Sequence, residues 1–180
     1  MRVVCPGSFN PVTRGHLDIF ERCAALFDEV VVVVVHNPLK AYSVPAERRA
    51  AWIRRATAHL HNLSVSHHGG LLADFVRAAG ASAIVKGLRN QNDLLGEAQM
   101  YFANRELLGG LDTLFLPTRE PFVYLSSSLV RDIASHGGDI APFVPDGVAQ
   151  EVAQAYRMAA PPSTVTGIEK NDPINKGETT

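Results

Sequence analysis

Six consecutive valines, Val30 to Val35, stand between Glu29 and His36-Asn37-Pro38. A run without alternation offers water no polar face, and β-branching favours extended backbone. It therefore predicts a strand buried on both sides, as in parallel sheets covered by helices. Shorter runs of this kind recur at Val3 to Cys5, Leu63 to Ser66, Ala83 to Val85 and Thr113 to Leu116. Between them the apolar period lengthens. Leu17, Phe20, Ala24 and Phe27 fall at i, i+3, i+7 and i+10, the stripe of an amphipathic helix over His16 to Phe27. Pro45 followed by Ala46-Glu47-Arg48-Arg49 reads as the first turn of a second helix running to about Leu60, because proline's fixed φ and missing donor are tolerated there. Leu72 to Ala79 closes at Gly80, and Asp93 to Leu108 at Gly109-Gly110, glycines suited to a left-handed cap. Helices are also expected over Ser127 to Ser135, ended by Gly137-Gly138, and over Val148 to Met158. The order β-α-β-α-β-α-β-α-β-α-α, with right-handed crossovers, predicts an α/β fold: a Rossmann-like, doubly wound, five-stranded parallel sheet with helices on both faces.

The chain has 180 residues, 46% hydrophobic and 19% charged, which suits a single domain with a sizeable core. That domain is expected over residues 1–160. After Ala160 the sequence turns to Pro161-Pro162-Ser163-Thr164 and a polar run to Thr180, a composition that predicts a disordered tail over 161–180. With 17 Lys plus Arg against 18 Asp plus Glu, the formal charge of -1 supplies no general field for collecting nucleic acid or an anionic membrane, and neither is expected as a partner. Cys5 and Cys23 are too few for a disulfide framework and read as packing residues. His59, His61, His67, His68 and His136 read as surface or loop histidines without metal-ligand spacing. The amino end lacks a signal peptide's apolar region and no stretch approaches a membrane span, which predicts a soluble, cytoplasmic protein.

In a doubly wound sheet, ligands gather outside the carboxyl ends of the strands where strand order reverses, so the connection after the first strand is the place to look for chemistry. It reads Pro6-Gly7-Ser8-Phe9-Asn10-Pro11-Val12-Thr13-Arg14-Gly15-His16 and feeds the amino end of a helix, where backbone N–H groups and the helix dipole favour anions. Neither G-x-x-x-x-G-K-[ST] nor G-x-G-x-x-G is present, which excludes a Walker loop and a dinucleotide fingerprint. Thr13-x-Gly15-His16 follows a different logic: the glycine lets the chain approach a phosphate, and the histidine holds a donor beside the helix end.

This loop resembles the signature of the (H/T)-x-G-H nucleotidyltransferase superfamily, and within it the bacterial phosphopantetheine adenylyltransferase family. Three further blocks carry the resemblance: Asn37-Pro38-Leu39-Lys40; Val85-Lys86-Gly87-Leu88-Arg89 with Asp93, Glu97-x-Gln99-Met100 and Asn104-Arg105; and Ser126-Ser127-Ser128-Leu129-Val130-Arg131. They stand in the family's order over residues 2 to 158. The resemblance implies direct in-line transfer of the adenylyl group of ATP to 4'-phosphopantetheine, giving dephospho-coenzyme A and pyrophosphate, with Mg2+ as cofactor and no covalent intermediate. It implies catalytic roles for His16, Lys40 and Arg89. ATP would be held by Ser8, Phe9, His16, Gly87, Leu88, Arg89, Glu97 and the segment Phe122-Val123-Tyr124-Leu125-Ser126-Ser127-Ser128. Phosphopantetheine would be held by Ser8, Lys40, Leu72 and Lys86, and no protein residue is assigned to a metal. A homohexamer and feedback inhibition by coenzyme A are implied in the same way. Two other readings stay open: a nucleotidyltransferase for another small molecule, such as nicotinamide mononucleotide, and a catalytically silent nucleotide-binding regulator.

The chain departs from the family at several places. Asn10 stands where aspartate is usual, Cys5 where many members have tyrosine, Leu94-Leu95-Gly96 where an aromatic-rich stretch is common, and Lys86 where arginine is frequent. Asn10 is expected to leave an active enzyme, either with weaker metal attraction or with a turn closed equally well by its side chain.

Overall fold

In the computed structural model, which describes residues 1–36 and 42–157, five strands form one sheet. They are β1 (Arg2–Gly7), β2 (Glu29–Val35), β3 (Leu63–His68), β4 (Ala83–Leu88) and β5 (Thr113–Pro117), all parallel and in the order β3-β2-β1-β4-β5. From β1 the chain winds outward through β2 and β3, then returns to the other side of β1 for β4 and β5. The order thus reverses between β1 and β4, and the carboxyl ends of these two strands mark the switch point at which sheets of this kind form their ligand crevice.

The valine run shows why a parallel sheet tolerates such a sequence. Val30, Val32 and Val34 enter a core with Val3, Cys5, Trp52 and Val130, while Val33 enters a second core with Val4, Val76 and Ile84. Alternate residues of one strand thus feed opposite faces, and both faces are covered. The first face carries α1 (Arg14–Leu26), α2 (Ala46–Ala56), α5 (Ser127–Ser135) and α6 (Ala149–Tyr156). The second carries α3 (Leu72–Ala78) together with Leu108 and Leu111. Helix α4 (Gln91–Leu107) buries only Asn104 and leaves Leu95 and Phe102 exposed.

Several boundaries differ from the expected ones, each for an identifiable reason. Pro6 and Gly7 extend β1 because Val33 and Val34 hold them in register. Lys86, Gly87 and Leu88, expected after the fourth strand, lie within β4, paired with Phe115, Leu116 and Pro117. His67 and His68, read as surface or loop residues beyond a strand ending at Ser66, are the last residues of β3 opposite Val34 and Val35, with His67 exposed. A parallel ladder keeps backbone extended wherever its neighbour continues, whatever the side chains. Pro45 precedes α2 as its cap, with φ -58° and ψ 152°, and the helix stops at Ala56 rather than near Leu60. Among the described residues one 3-10 turn, Glu120–Phe122, lies between β5 and α5, where the apolar pattern carries no sign of it. Gly80 ends α3 at φ +60°, the conformation its place after the apolar stripe predicted. The single-domain boundary and the tail after Ala160, like Lys40 and its block from Asn37, involve residues outside those described. No described helix is long and apolar enough to cross a membrane.

Candidate active site

Between β1 and α1 the chain makes a tight loop whose carbonyls are tied down from three directions. Ser8 O accepts from Arg49 Nη1, Asn10 O accepts from Arg131 Nη1, and Pro11 O accepts from Ser127 Oγ at 2.7 Å. The Asn10-Pro11 peptide is cis. Phe9 adopts φ +44°, a left-handed conformation uncommon outside glycine, and its buried ring meets His16 edge-on at 5.1 Å and Phe20 at 5.3 Å. Gly7 makes room for that ring, since a Cβ on it would lie 2.6 Å from Phe9 Cζ.

Helix α1 begins at Arg14 because Thr13 and His16 cap it reciprocally. Thr13 Oγ1 accepts from His16 N at 3.4 Å, and Thr13 N donates to His16 Nδ1 at 3.0 Å. This is a capping box in which histidine takes the place usually held by Glu or Gln. The same bond assigns the tautomer: with Nδ1 accepting, the ring proton of a neutral imidazole resides on Nε2. Burial of the half-buried ring and then the charge of Arg89 lower the His16 pKa to about 4, so the ring is neutral at physiological pH. His16 thus carries one fixed donor, Nε2–H, at the positive end of a helix.

Arg89 follows β4 directly and is aimed by Asp93. Its Nε and Nη2 meet Oδ2 and Oδ1 of that carboxylate, both at 3.0 Å, and Nη1 reaches Leu125 O at 3.4 Å. Lys86 Nζ lies 3.0 Å from Glu97 Oε1, so two residues expected on different substrates touch each other. The serine triplet is divided in use. Ser126 Oγ caps α5 by accepting from Leu129 N at 3.1 Å, Ser127 Oγ holds the Pro11 carbonyl, and Ser128 Oγ accepts from Arg131 Nη2 at 3.2 Å. For Ser126 and Ser127 the hydroxyls are therefore occupied in holding the helix end and the loop, which leaves the amides of Ser127 and Ser128 without an acceptor inside the helix, the kind of helix end that favours anions.

Gly15 packs α1 against the 3-10 turn, where an added Cβ would stand 3.2 Å from Phe122 Cβ. Asp18, only 4% exposed, fastens the same seam through Arg119 at 2.9 Å and Arg22 at 3.2 Å. A cleft of about 480 Å³ opens on the outer side of this seam, lined by Arg14, Leu17, Asp18, Arg119 and Phe122 and not by His16 or Arg89. Its three arginines, Arg14, Arg55 and Arg119, are each paired with a carboxylate, Asp146, Glu151 and Asp18.

The fold thus brings Ser8, Phe9, His16, Arg89, Leu125 and the serine triplet to one edge of the sheet. Leu72 opens α3 on the opposite sheet face, packed against the Val4, Val33, Val76 and Ile84 cluster, and Tyr124 is 91% exposed. Asn10 is 8% exposed, and its Oδ1 accepts from the Tyr156 hydroxyl rather than facing the crevice. Burial raises the Tyr156 pKa to about 12, which keeps that phenol a donor. Cys5 and Cys23 are buried with sulfurs 3.6 Å apart, in keeping with a packing role. Asp18, Arg119, Tyr156 and Arg49 were not singled out from the sequence. For Arg49 a signal existed: it occupies position i of the α2 stripe completed by Trp52, Ile53 and Ala56, where a cation is out of place.

Among the described residues no three His, Cys, Asp or Glu side chains converge as a metal site. The sequence family described as cytidylyltransferase-like matches residues 4–133. A phosphopantetheine adenylyltransferase from Heliobacterium modesticaldum is 44% identical over 153 residues, 85% of this chain and 91% of its own. Among solved structures, a protein from Vibrio parahaemolyticus provisionally assigned as a nicotinate-nucleotide adenylyltransferase superposes with a TM-score of 0.59. It shares 17% identity and covers 84% of this chain and 97% of that one, a likeness of fold alone. The motif-bearing loop at the switch point and the extent of these matches agree, and the chain belongs to the phosphopantetheine adenylyltransferases of the cytidylyltransferase-like family.

Proposed function

We propose that the chain transfers the adenylyl group of ATP to 4'-phosphopantetheine. An oxygen of the acceptor phosphate attacks the α-phosphorus in line, the bond from that phosphorus to the β-phosphate oxygen breaks, and pyrophosphate leaves with dephospho-coenzyme A as the other product. The 44% identity to the Heliobacterium enzyme supports this acceptor. The observation that carries the chemistry is His16, neutral and locked with Nε2–H as its donor beside Arg89. The acceptor phosphate is its own nucleophile, so the protein's task is to align two anions and stabilise charge on a five-coordinate phosphorus. A neutral N–H donor strengthens its hydrogen bond as that charge grows and keeps its proton throughout, while Arg89 supplies the positive charge.

In this reading Lys40 joins His16 and Arg89 in charge stabilisation, on sequence grounds. Ser8, Phe9, Gly87, Leu88, Glu97 and the segment from Phe122 to Ser128 hold ATP, and Lys86 and Leu72 hold the acceptor. The scattered carboxylates suit Mg2+ arriving on the triphosphate, coordinated by phosphate and water, better than a resident ion. The exposed Leu94, Leu95, Met100 and Phe102 on α4 support the expected homohexamer. Feedback by coenzyme A and a cytoplasmic location complete the proposal.

Pyrophosphate release from ATP and Mg2+ tests it, with 4'-phosphopantetheine set beside nicotinamide mononucleotide. Release is expected with the first alone. Release with the second alone overturns the acceptor, and none with either makes the chain a silent binder.

A further inference from the structure

Arg49 is fully buried in α2, where its neighbours on the stripe are Trp52, Ile53 and Ala56. Among the described residues its guanidinium makes two hydrogen bonds, both to backbone carbonyls: Nε to Val44 O at 3.1 Å and Nη1 to Ser8 O. It lies over the Tyr42 ring at 4.4 Å, and Nη2 has no partner among the described residues. No carboxylate among the described residues forms an ion pair with it, and burial lowers its pKa. An apolar side chain of similar length would complete the stripe without burying an unpaired charge, so stability alone does not account for it. What distinguishes the position is its contact with the loop. The Ser8-Phe9 peptide is trans, so a Ser8 carbonyl pulled inward to Arg49 turns the Phe9 N–H the opposite way. The same grip supports the left-handed backbone of Phe9, whose ring backs His16.

We propose that Arg49 is a positioning residue for adenylyl transfer: it fixes the Ser8-Phe9 peptide so that the Phe9 N–H and the His16 ring face the reacting phosphates, and leaves an unneutralised positive charge behind them. This rests on the function proposed above. A cation enclosed by protein is little screened by salt, so its field persists where the two anions meet.

The test compares R49M and R49K with the parent in steady-state kinetics and thermal melts. R49M keeps length and packing and is expected to melt within a few degrees of the parent. Its kcat falls about 10- to 100-fold, the scale of a small misplacement, while KM for ATP and for 4'-phosphopantetheine stays within about threefold. R49K keeps the charge and one donor and recovers at least threefold of the lost kcat. An R49M enzyme within twofold of the parent overturns the proposal, as does equal impairment of R49M and R49K. If R49M does not fold, R49K decides: lowered kcat at unchanged KM and melting temperature supports the role, and loss in proportion to unfolded protein refutes it. A parent that releases no pyrophosphate instead overturns the function itself, which separates the two failures.

Discussion

At the scale of single residues, His16 has two duties that one substitution exposes. His16→Ala removes a donor used chiefly as charge develops, so kcat should fall on the order of 10²- to 10³-fold with KM changed much less. An unchanged kcat in a steady-state assay would sink the mechanism. The ring also couples stability to acidity. In the fold its pKa is lowered to about 4, against 6.5 ordinarily, so between those values the unfolded chain takes up a proton that the native ring refuses. The contribution is present above pH 6.5 and is lost as pH falls toward 4. Melting temperature should therefore decline less steeply over that window in His16→Ala than in the parent, and parallel curves would contradict the assignment. Asn10 calls for a different outcome from the charge argument its family position invites. Because its side chain faces Tyr156, Asn10→Asp should leave the Mg2+ dependence of the initial rate unmoved; a lowered Mg2+ requirement in titration would show that the side chain reaches the metal.

At the scale of elements, caps and packing decide where each helix runs and how firmly. Gly96 lies in the interior of α4 with nothing within 4 Å of an added Cβ. Gly96→Ala should stabilise by about 0.5–1 kcal/mol, raising the melting temperature by about 1–4 °C without altering kcat. No gain in the melt would mean that α4 already rests on something a methyl disturbs. The elements themselves were legible because their signals are periodic: the valine run, the Leu17-Phe20-Ala24-Phe27 stripe and the glycine stops are local patterns with one cheap interpretation. Their ends were less so. Lys86 to Leu88 and His67-His68 are extended only because a neighbouring strand continues beside them, a fact no local window contains. The site divides in the same way. Thr13-x-Gly15-His16 and Arg89 are recognisable from their spacing, whereas the bond of Ser127 to Pro11 and the grip of Arg49 on Ser8 depend on contacts more than 40 residues apart.

For the whole molecule, the organising fact is that the loop between β1 and α1 is held from distant parts of the chain: α2 through Arg49, α5 through Ser127 and Arg131, α6 through Tyr156. The last described helix, α6, ends at Tyr156. Truncation after Ala160 should accordingly leave kcat and melting temperature unchanged, as the polar composition beyond it also suggests. A fall of several degrees, or a smaller species on sizing, would show that the removed segment contributes. The bond from Tyr156 to Asn10 spans 146 residues and sets an order of events during translation. At about 5–20 residues per second, roughly 7–30 s separate the synthesis of the loop from that of its final anchor. The sheet, whose last strand ends at Pro117, has left the ribosome's decoding centre well before then. A chain terminated soon after Pro117 would therefore carry every strand of the described sheet, yet lack both the helices α5 and α6 that cover one of its faces and the three side chains, Ser127, Arg131 and Tyr156, by which they bolt the loop in place.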